Sequence, residues 1–349
     1  MNRQWEKHLI SNSATILQAL ERLNDLGSNL TLFIVDEHNT LHGSLTDGDI
    51  RRALIRNVTV AERVDAIMNK DCSYLVNKNI DFVVLQTLRN RQIKLLPIVD
   101  EQKRICRLLN LEKVRSVIPV DAVIMAGGEG RRLKPLTDSI PKPLLPVGDK
   151  PIIEHNVDRL DSFGVENIYI TVKYLGEQIE HYFKNGRERN ISIKFVREDE
   201  PLGTLGACSL IKDFRHEYVL VMNSDLLTDI NYEDFFIEFI RSGADMAVAT
   251  IPYVINVPYA VLETQDNFVQ TFKEKPTYTY YSNAGIYLVR KELLENLPYN
   301  SFFNATDLMD DLIGQNKKVL SYPLLGYWLD IGKHEDYKKA QEDIKHISV

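Results

Sequence analysis

The spacing of apolar positions changes near residue 119. Before it one pattern occurs twice: Ile34-Val35-Asp36-Glu37 returns as Ile98-Val99-Asp100-Glu101, 64 residues later. At the same offset Leu41 meets Ile105, Leu45 meets Leu109, Ile50 meets Val114 and Arg51 meets Arg115. Similarity at a fixed offset marks a repeated structural unit. Each copy reads as an apolar strand, an acidic turn, a second short strand and a helix beginning near Asp47 or Leu111, with helical periodicity ahead of it over 15–26 and 80–91. The spacing predicts a tandem βαββα-like α+β module over 1–118.

Pro119 closes the second copy, and Asp121-Ala122-Val123-Ile124-Met125-Ala126 opens a new apolar strand. From there the periods alternate: helix 152–163, strand 167–172, helix 175–183, strand 191–197, helix 205–211 and a buried strand 218–222. Such alternation predicts a Rossmann-like α/β domain over 119–349, with a mainly parallel sheet and ligands at the carboxyl ends of its strands.

Composition narrows the classes. A chain of 349 residues with 44% hydrophobic content can bury one large and one small core. A net charge of -7 gives no general attraction to nucleic acid or to anionic membranes, so an anionic ligand needs a specific site. Cys72, Cys106 and Cys208 lie far apart, which points to neither a disulfide framework nor a zinc knuckle. No histidine pair has metal-ligand spacing on a helix. The polar N-terminus and the lack of any apolar run near the roughly 20 residues of a membrane span predict a cytoplasmic protein, neither secreted nor inserted.

The chemistry gathers after the 121–126 strand. Ala126 is followed by Gly127-Gly128-Glu129-Gly130-Arg131-Arg132-Leu133, then Pro135-Leu136-Thr137 and Pro141-Lys142-Pro143-Leu144-Leu145-Pro146. Glycines let backbone amides approach phosphate oxygens, and arginine adds a planar charged fork. A glycine cluster alone also fits an ordinary turn. The dinucleotide fingerprint needs a third small residue where Leu133 or Lys134 stands, and a P-loop needs Gly-Lys-Ser/Thr, so both are excluded. Two arginines after the loop and a lysine between prolines suit a polyphosphate among fixed cations.

Two carboxylates stand apart from this segment. Tyr218-Val219-Leu220-Val221-Met222 runs into Asn223-Ser224-Asp225, which places Asp225 at the carboxyl edge of the sheet; an Asp capping the next turn is the plainer reading. Asp330 lies in apolar company in Tyr327-Trp328-Leu329-Asp330-Ile331-Gly332. A hard divalent cation bridging phosphates needs only one or two protein carboxylates.

At this point the chain resembles the sugar-1-phosphate nucleotidyltransferases, with a GT-A-like fold. Their signature Gly-x-Gly-x-Arg-Leu-x-Pro-Leu-Thr, Pro-Lys-Pro and Leu-Pro-Val matches 128–147 almost continuously. The resemblance implies that Arg132 neutralises the triphosphate and leaving pyrophosphate, that Lys142 reaches the transferred phosphate, and that Asp225 and Asp330 hold Mg2+. Arg131 falls on a variable position. Ala126, Gly127, Gly128 and Gly130 would line the nucleotide. Pro201-Leu202-Gly203-Thr204-Leu205-Gly206-Ala207 is similar to the mannose-1-phosphate guanylyltransferase form of the base loop, so Leu202, Gly203 and Thr204 would hold the base, with GTP favoured over UTP. Tyr259, Glu274, Lys275, Asn283 and Gly285 fall in segments that would enclose the sugar phosphate. Ala260 stands where many members carry glycine.

The N-terminal repeat resembles a pair of CBS domains, in which a Thr-x-x-Asp grips a ribose. Thr46 and Asp49 supply it in the first copy; Asn110 and Lys113 stand at the equivalent positions of the second. The resemblance implies an adenine nucleotide at one site, set against a purely structural or dimerising module. The expected substrates are an NTP and a sugar-1-phosphate, and a homo-oligomer is compatible with the sequence. The rival readings are a uridylyltransferase of the same class, a dehydrogenase, which lacks its glycine spacing, and a catalytically silent nucleotide-binding regulator, which would be expected to have lost Arg132, Lys142, Asp225 or Asp330.

Overall fold

A computed structural model describes residues 4–27, 29–77, 82–184 and 191–347. Its contacts divide into two compact units, Met1–Val117 and Ile118–Val349.

In the first unit the repeat is visible as repeated topology. One copy consists of β1 (Leu9–Ser11), α1 (Ile16–Leu26), β2 (Thr31–Val35), β3 (Leu41–Thr46) and α2 (Asp47–Ile55). The other consists of β4 (Leu75–Val76), α3 (Phe82–Asn90), β5 (Leu95–Val99) and β6 (Ile105–Asn110). In each, a parallel pair is followed by an antiparallel hairpin. Phe33, Val35 and Leu41 of one copy share a core with Leu95, Val99 and Ile105 of the other. Ile80 and Asp81, at the start of the helical period 80–91, lie outside the described residues.

The helix expected from Leu111 is a turn instead. In the first copy Asp49 N donates to Thr46 Oγ1 at 3.3 Å and Thr46 N donates to Asp49 Oδ2 at 2.8 Å, a capping box that starts α2. In the second copy Lys113 offers no acceptor for the return bond, and Asn110 Oδ1 takes the Glu112 N–H at 3.0 Å in a local turn. The same two replacements that remove the ribose-type pair therefore remove the helix start.

The second unit is built on a seven-stranded sheet. Its elements are β7 (Val120–Ala126), the short β8 (Pro146–Val147) and β9 (Lys150–Pro151), α4 (Ile152–Ser162), β10 (Asn167–Val172), α5 (Gly176–Lys184), β11 (Ser192–Arg197), β12 (Tyr218–Asn223), β13 (Leu226–Thr228) and α6 (Tyr232–Ser242). They continue with β14 (Met246–Asn256), β15 (Val261–Gln265), β16 (Phe268–Lys273), β17 (Thr277–Arg290), α7 (Lys291–Glu295), α8 (Ala305–Gly314), β18 (Val319–Pro323), β19 (Trp328–Asp330) and α9 (His334–Asp343). The sheet order is β11-β10-β7-β12-β17-β14-β18, and only β17 runs antiparallel to its neighbours. Val120, Ala122, Val123 and Ile124 of central β7 are fully buried, as a strand covered on both faces requires.

Residues 206–210 form one short 3-10 turn where a helix was expected. The amides of Leu205 and Gly206 both donate to Phe303 O, at 2.9 and 3.0 Å, so this segment is pinned to the 301–305 segment and cannot wind further. Among the described residues no helix is long and apolar enough to cross a membrane.

Candidate active site

The glycine turn leaves the carboxyl end of β7, at the middle of the parallel strands, where open α/β sheets bind ligands. Gly130 adopts φ +63°, and a Cβ there would lie 3.0 Å from both Lys142 Cβ and Thr137 Cγ2. Its missing side chain is what lets the turn close on the Pro-Lys-Pro segment. Thr137 Oγ1 donates to Gly130 O at 3.0 Å. Tyr174 Oη donates to Thr137 O at 3.0 Å, and Gln178 Nε2 to Ser139 O at 2.9 Å. These bonds fix the segment from the turn after β10 and from α5.

Lys142 is held by the same packing, with its side chain only 11% exposed, and its ammonium pairs with Asp225 Oδ2. Asp225 follows the end of β12, and Asp330 ends β19. The antiparallel ladder of β13 and β19 sets Leu226 opposite Asp330, and Ile331 N donates to Asp225 O at 3.0 Å. Asn156 of α4 steadies this ladder by donating to Leu226 O at 2.9 Å. Arg132 extends toward the same corner: a Cβ on Gly332 would lie 3.2 Å from Arg132 Nη2. Arg131 instead pairs with Glu129 at 2.6 Å.

The two carboxylates are unequally served. Asp225 Oδ1 and Asp330 Oδ1 are both buried, and neither has a hydrogen-bond partner among the described residues. Burial, then the neighbouring Asp225 charge, push the Asp330 carboxyl above the usual aspartate range, against the pull of Lys142 and Arg132. Two buried, unpartnered carboxylate oxygens at the ends of one two-stranded ladder fit a hard divalent cation that takes its remaining ligands from phosphate and water. Among the described residues no group of three or more His, Cys, Asp or Glu gathers for a metal.

This predicts a measurable sign. A folded-state pKa raised above the unfolded one means that ionising Asp330 costs stability as the pH rises through and above the ordinary aspartate range. Asp330→Asn is thus expected to raise the melting temperature of metal-free protein near neutral pH, and the gain should vanish as the pH falls below that range. Thermal melts with a chelator across a pH series test it; a variant less stable than wild type at neutral pH contradicts the electrostatic account.

The 201–207 segment sits against the 301–305 segment. Gly203 adopts φ +74°, where a Cβ would lie 2.8 Å from Phe303 O, and Thr204 Oγ1 accepts the Ala305 N–H at 2.5 Å. Leu202 is buried. Glu198 was not singled out in the sequence, yet Leu202 N donates to its Oε2 at 3.1 Å, while a Cβ on Gly127 would lie 2.9 Å from its Oε1. It stands between the two glycine-containing turns. The available signal was a carboxylate three residues ahead of Pro201, obscured by the acidic neighbours Asp199 and Glu200.

The residues assigned to the sugar side divide. Asn283 and Gly285 stand beside the 223–225 segment: Gly285 N donates to Asn283 Oδ1 at 2.8 Å, and at φ +72° a Cβ on Gly285 would fall 2.5 Å from Asn223 Nδ2. Tyr259, Glu274 and Lys275 instead lie exposed on the β-arm of residues 251–282. In the first unit Thr46 Oγ1 donates to Asp49 Oδ2 at 2.6 Å, and the pair serves as the α2 cap.

A parallel sheet whose carboxyl edge joins a glycine turn, fixed cations and two free carboxylate oxygens defines a phosphate-handling α/β domain. The chain belongs to the nucleotidyl transferase family, whose model matches residues 121–347. A CBS domain matches residues 8–56, the first copy of the repeat. The bifunctional protein GlmU of Methanocaldococcus jannaschii is 34% identical over 64% of this chain, and the match spans just over half, 54%, of that relative's length. The D-glycero-alpha-D-manno-heptose 1-phosphate guanylyltransferase of Aneurinibacillus thermoaerophilus is 33% identical over 65% of the chain and 99% of its own length. HddC from Yersinia pseudotuberculosis, solved in complex with GMP-PN, matches 64% of the chain and 99% of that structure at 27% identity, with a TM-score of 0.50.

Proposed function

We propose that the chain transfers a nucleotidyl group from GTP to a sugar-1-phosphate, releasing pyrophosphate and leaving a GDP-sugar for glycan or activated-sugar synthesis. The observation that carries this reading is the corner where Asp225 and Asp330 present unpartnered oxygens beside Lys142 and Arg132. In this reading the sugar phosphate oxygen attacks the α-phosphorus and pyrophosphate leaves in line. The nucleophile is already ionised near neutral pH, so no general base is required.

The protein's task is alignment and charge compensation. Arg132 meets the triphosphate and the departing pyrophosphate. Lys142 exchanges its bond to Asp225 for one to the transferred phosphate. Asp225 and Asp330 would hold Mg2+, which supplies neutralisation of phosphate charge when bound. Asn283 and Gly285, beside Asn223, face the acceptor side together with Tyr259, Glu274 and Lys275 of the arm.

Guanine is supported over uracil by two considerations. Two similar proteins matched over 99% of their own length are a guanylyltransferase and a protein solved with GMP-PN. Glu198 also offers a carboxylate acceptor, which suits the N1–H and N2–H donors of guanine. Glu198→Gln is expected to lower kcat/KM for GTP about 10- to 100-fold while changing that for UTP less, the scale of one bidentate base contact. An unchanged GTP-to-UTP ratio removes Glu198 from base selection. The overall reading is tested by pyrophosphate release from a panel of nucleoside triphosphates against sugar-1-phosphates, and a panel without turnover in the presence of Mg2+ overturns it.

For residues 1–118, taken as a tandem CBS module, the proposal is one adenine-nucleotide site at Thr46 and Asp49. Their mutual bond must open to grip a ribose. Calorimetry of the full chain with AMP and ATP tests this, and binding heat that survives Asp49→Ala places the nucleotide elsewhere.

A further inference from the structure

Leu133, Leu145, Leu227 and Ile331 are buried together in one small core cluster. Each lies within three residues of a group assigned to the reaction: Leu133 beside Arg132, Leu145 after Lys142, Leu227 after Asp225 and Ile331 beside Asp330. The cluster is closed by Ala340 of α9, with Tyr337 of that helix and the following Ile344 packed against it. Helix α9 is thus part of the floor under the corner, although none of its residues has a role in the transfer proposed above.

The polar contacts of α9 fasten it from both ends. Tyr337 Oη and Gln341 Nε2, four residues apart and so on one face, donate to Pro146 O at 2.7 and 2.6 Å. Gly148 N donates to Gln341 Oε1 at 3.2 Å. Asp336 Oδ2 takes the amides of Gly332 and Lys333, at 3.2 and 3.0 Å, and ties the start of the helix to the strand end that carries Asp330. With its apolar face packed and both ends bonded, α9 is a fixed reference for whatever its first turn touches.

That first turn touches the turn of Arg132. The amides of Leu136 and Asp138 donate to Leu133 O and Pro135 O, at 3.0 and 3.1 Å, and skip the carbonyl between them. The skipped carbonyl, Lys134 O, lies 2.9 Å from His334 Nε2; a ring nitrogen facing a carbonyl must carry the proton, so His334 donates. The guanidinium of Arg132 lies beside Gly332, where a Cβ would come within 3.2 Å of Nη2. Residues 332 and 334 therefore meet the arginine at its tip and just past its backbone. Arg132 is exposed, and a long exposed side chain keeps much of its rotamer freedom, so its aim depends on where its backbone is held.

We infer that His334 is a positioning residue for Arg132, holding the turn at 131–134 against α9 so that the guanidinium points into the corner of Asp225 and Asp330. The inference rests on the nucleotidyl-transfer reading above. The His334 bond is exposed, and such a bond exchanges with water for a small net gain. A purely structural role therefore predicts almost no effect of its loss, whereas a misplacement of about 1 Å at a reacting group can cost about 100-fold in rate.

His334→Ala is expected to melt with wild type and to lower kcat/KM for the nucleoside triphosphate about 10- to 100-fold, read as pyrophosphate release. His334→Gln, which returns an N–H donor at similar reach, is expected to recover most of that loss. Lys338→Ala, an exposed position on the same helix, is expected to lose nothing. In an Arg132→Ala background His334→Ala is expected to cost no more than about twofold, because the group it aims is gone. Undiminished turnover in His334→Ala overturns the inference and leaves the transfer reading intact. An equal loss in both backgrounds, or one that His334→Gln does not restore, marks a general structural effect and overturns it too. A wild-type chain without turnover on any pair of substrates is the failure of the transfer reading, and it removes the inference with it.

Discussion

Asp225→Asn is expected to lower the rate of pyrophosphate release by about 100- to 1,000-fold at saturating Mg2+, the usual cost of removing a fixed charge-stabilising group. The substitution keeps the size and the backbone of the site. The Leu226–Asp330 pairing and the Ile331 N–Asp225 O bond are main-chain contacts, so the ladder persists without the charge. What changes is the sum of charges. Lys142 loses its ion-pair partner, and one of two unpartnered carboxylate oxygens becomes part of a neutral amide. Arg132→Ala should cost a similar factor from the opposite side of the same corner. In the proposed reading both act on one triphosphate, so the double variant should lose less than the product of the single losses. Near-normal turnover in Asp225→Asn would remove this aspartate from the chemistry.

Gly206→Ala is expected to destabilise the second unit by about 3 kcal/mol or more and to raise KM for the nucleoside triphosphate. A Cβ at this position would lie 2.2 Å from Ser301 O and 3.2 Å from Phe303 N. Both are backbone atoms, so no side chain can rotate aside. Overpacking of this kind costs about 1–3 kcal/mol. Relief by moving the turn sacrifices the two bonds to Phe303 O, at about 1 kcal/mol each. Because the same turn carries Leu202, Gly203 and Thr204, the loss should appear in nucleotide binding as well as in the melting temperature. A variant that melts with wild type would mean that the 301–305 segment yields without cost.

The sequence was most legible where one residue type has one physical use. The apolar runs of β7, β10 and β12 read correctly because buried parallel strands admit little else, and the glycines that follow β7 lie at the strand end where the sequence put them. Asp225 and Asp330 were each visible as candidates, but nothing in either segment says that β13 and β19 pair; that is a tertiary fact. Glu198 escaped for the same reason, since its importance comes from Gly127 and Leu202 closing on it from two directions. The helix expected at Leu111 failed on a single missing acceptor at Lys113, a detail smaller than the period used to predict it. The helix over 205–211 failed because Phe303, distant in sequence, takes its first amides.

The β13–β19 ladder also gives the site an order of assembly. Chains emerge from the ribosome N-terminus first. Arg132, Lys142 and Asp225 are therefore made well before Asp330 and its strand β19. During that interval Lys142 can already neutralise Asp225, while the second carboxylate is still missing. An unfinished chain thus carries one of the two paired carboxylates, and the β13–β19 ladder that brings them together must wait until synthesis has passed β19.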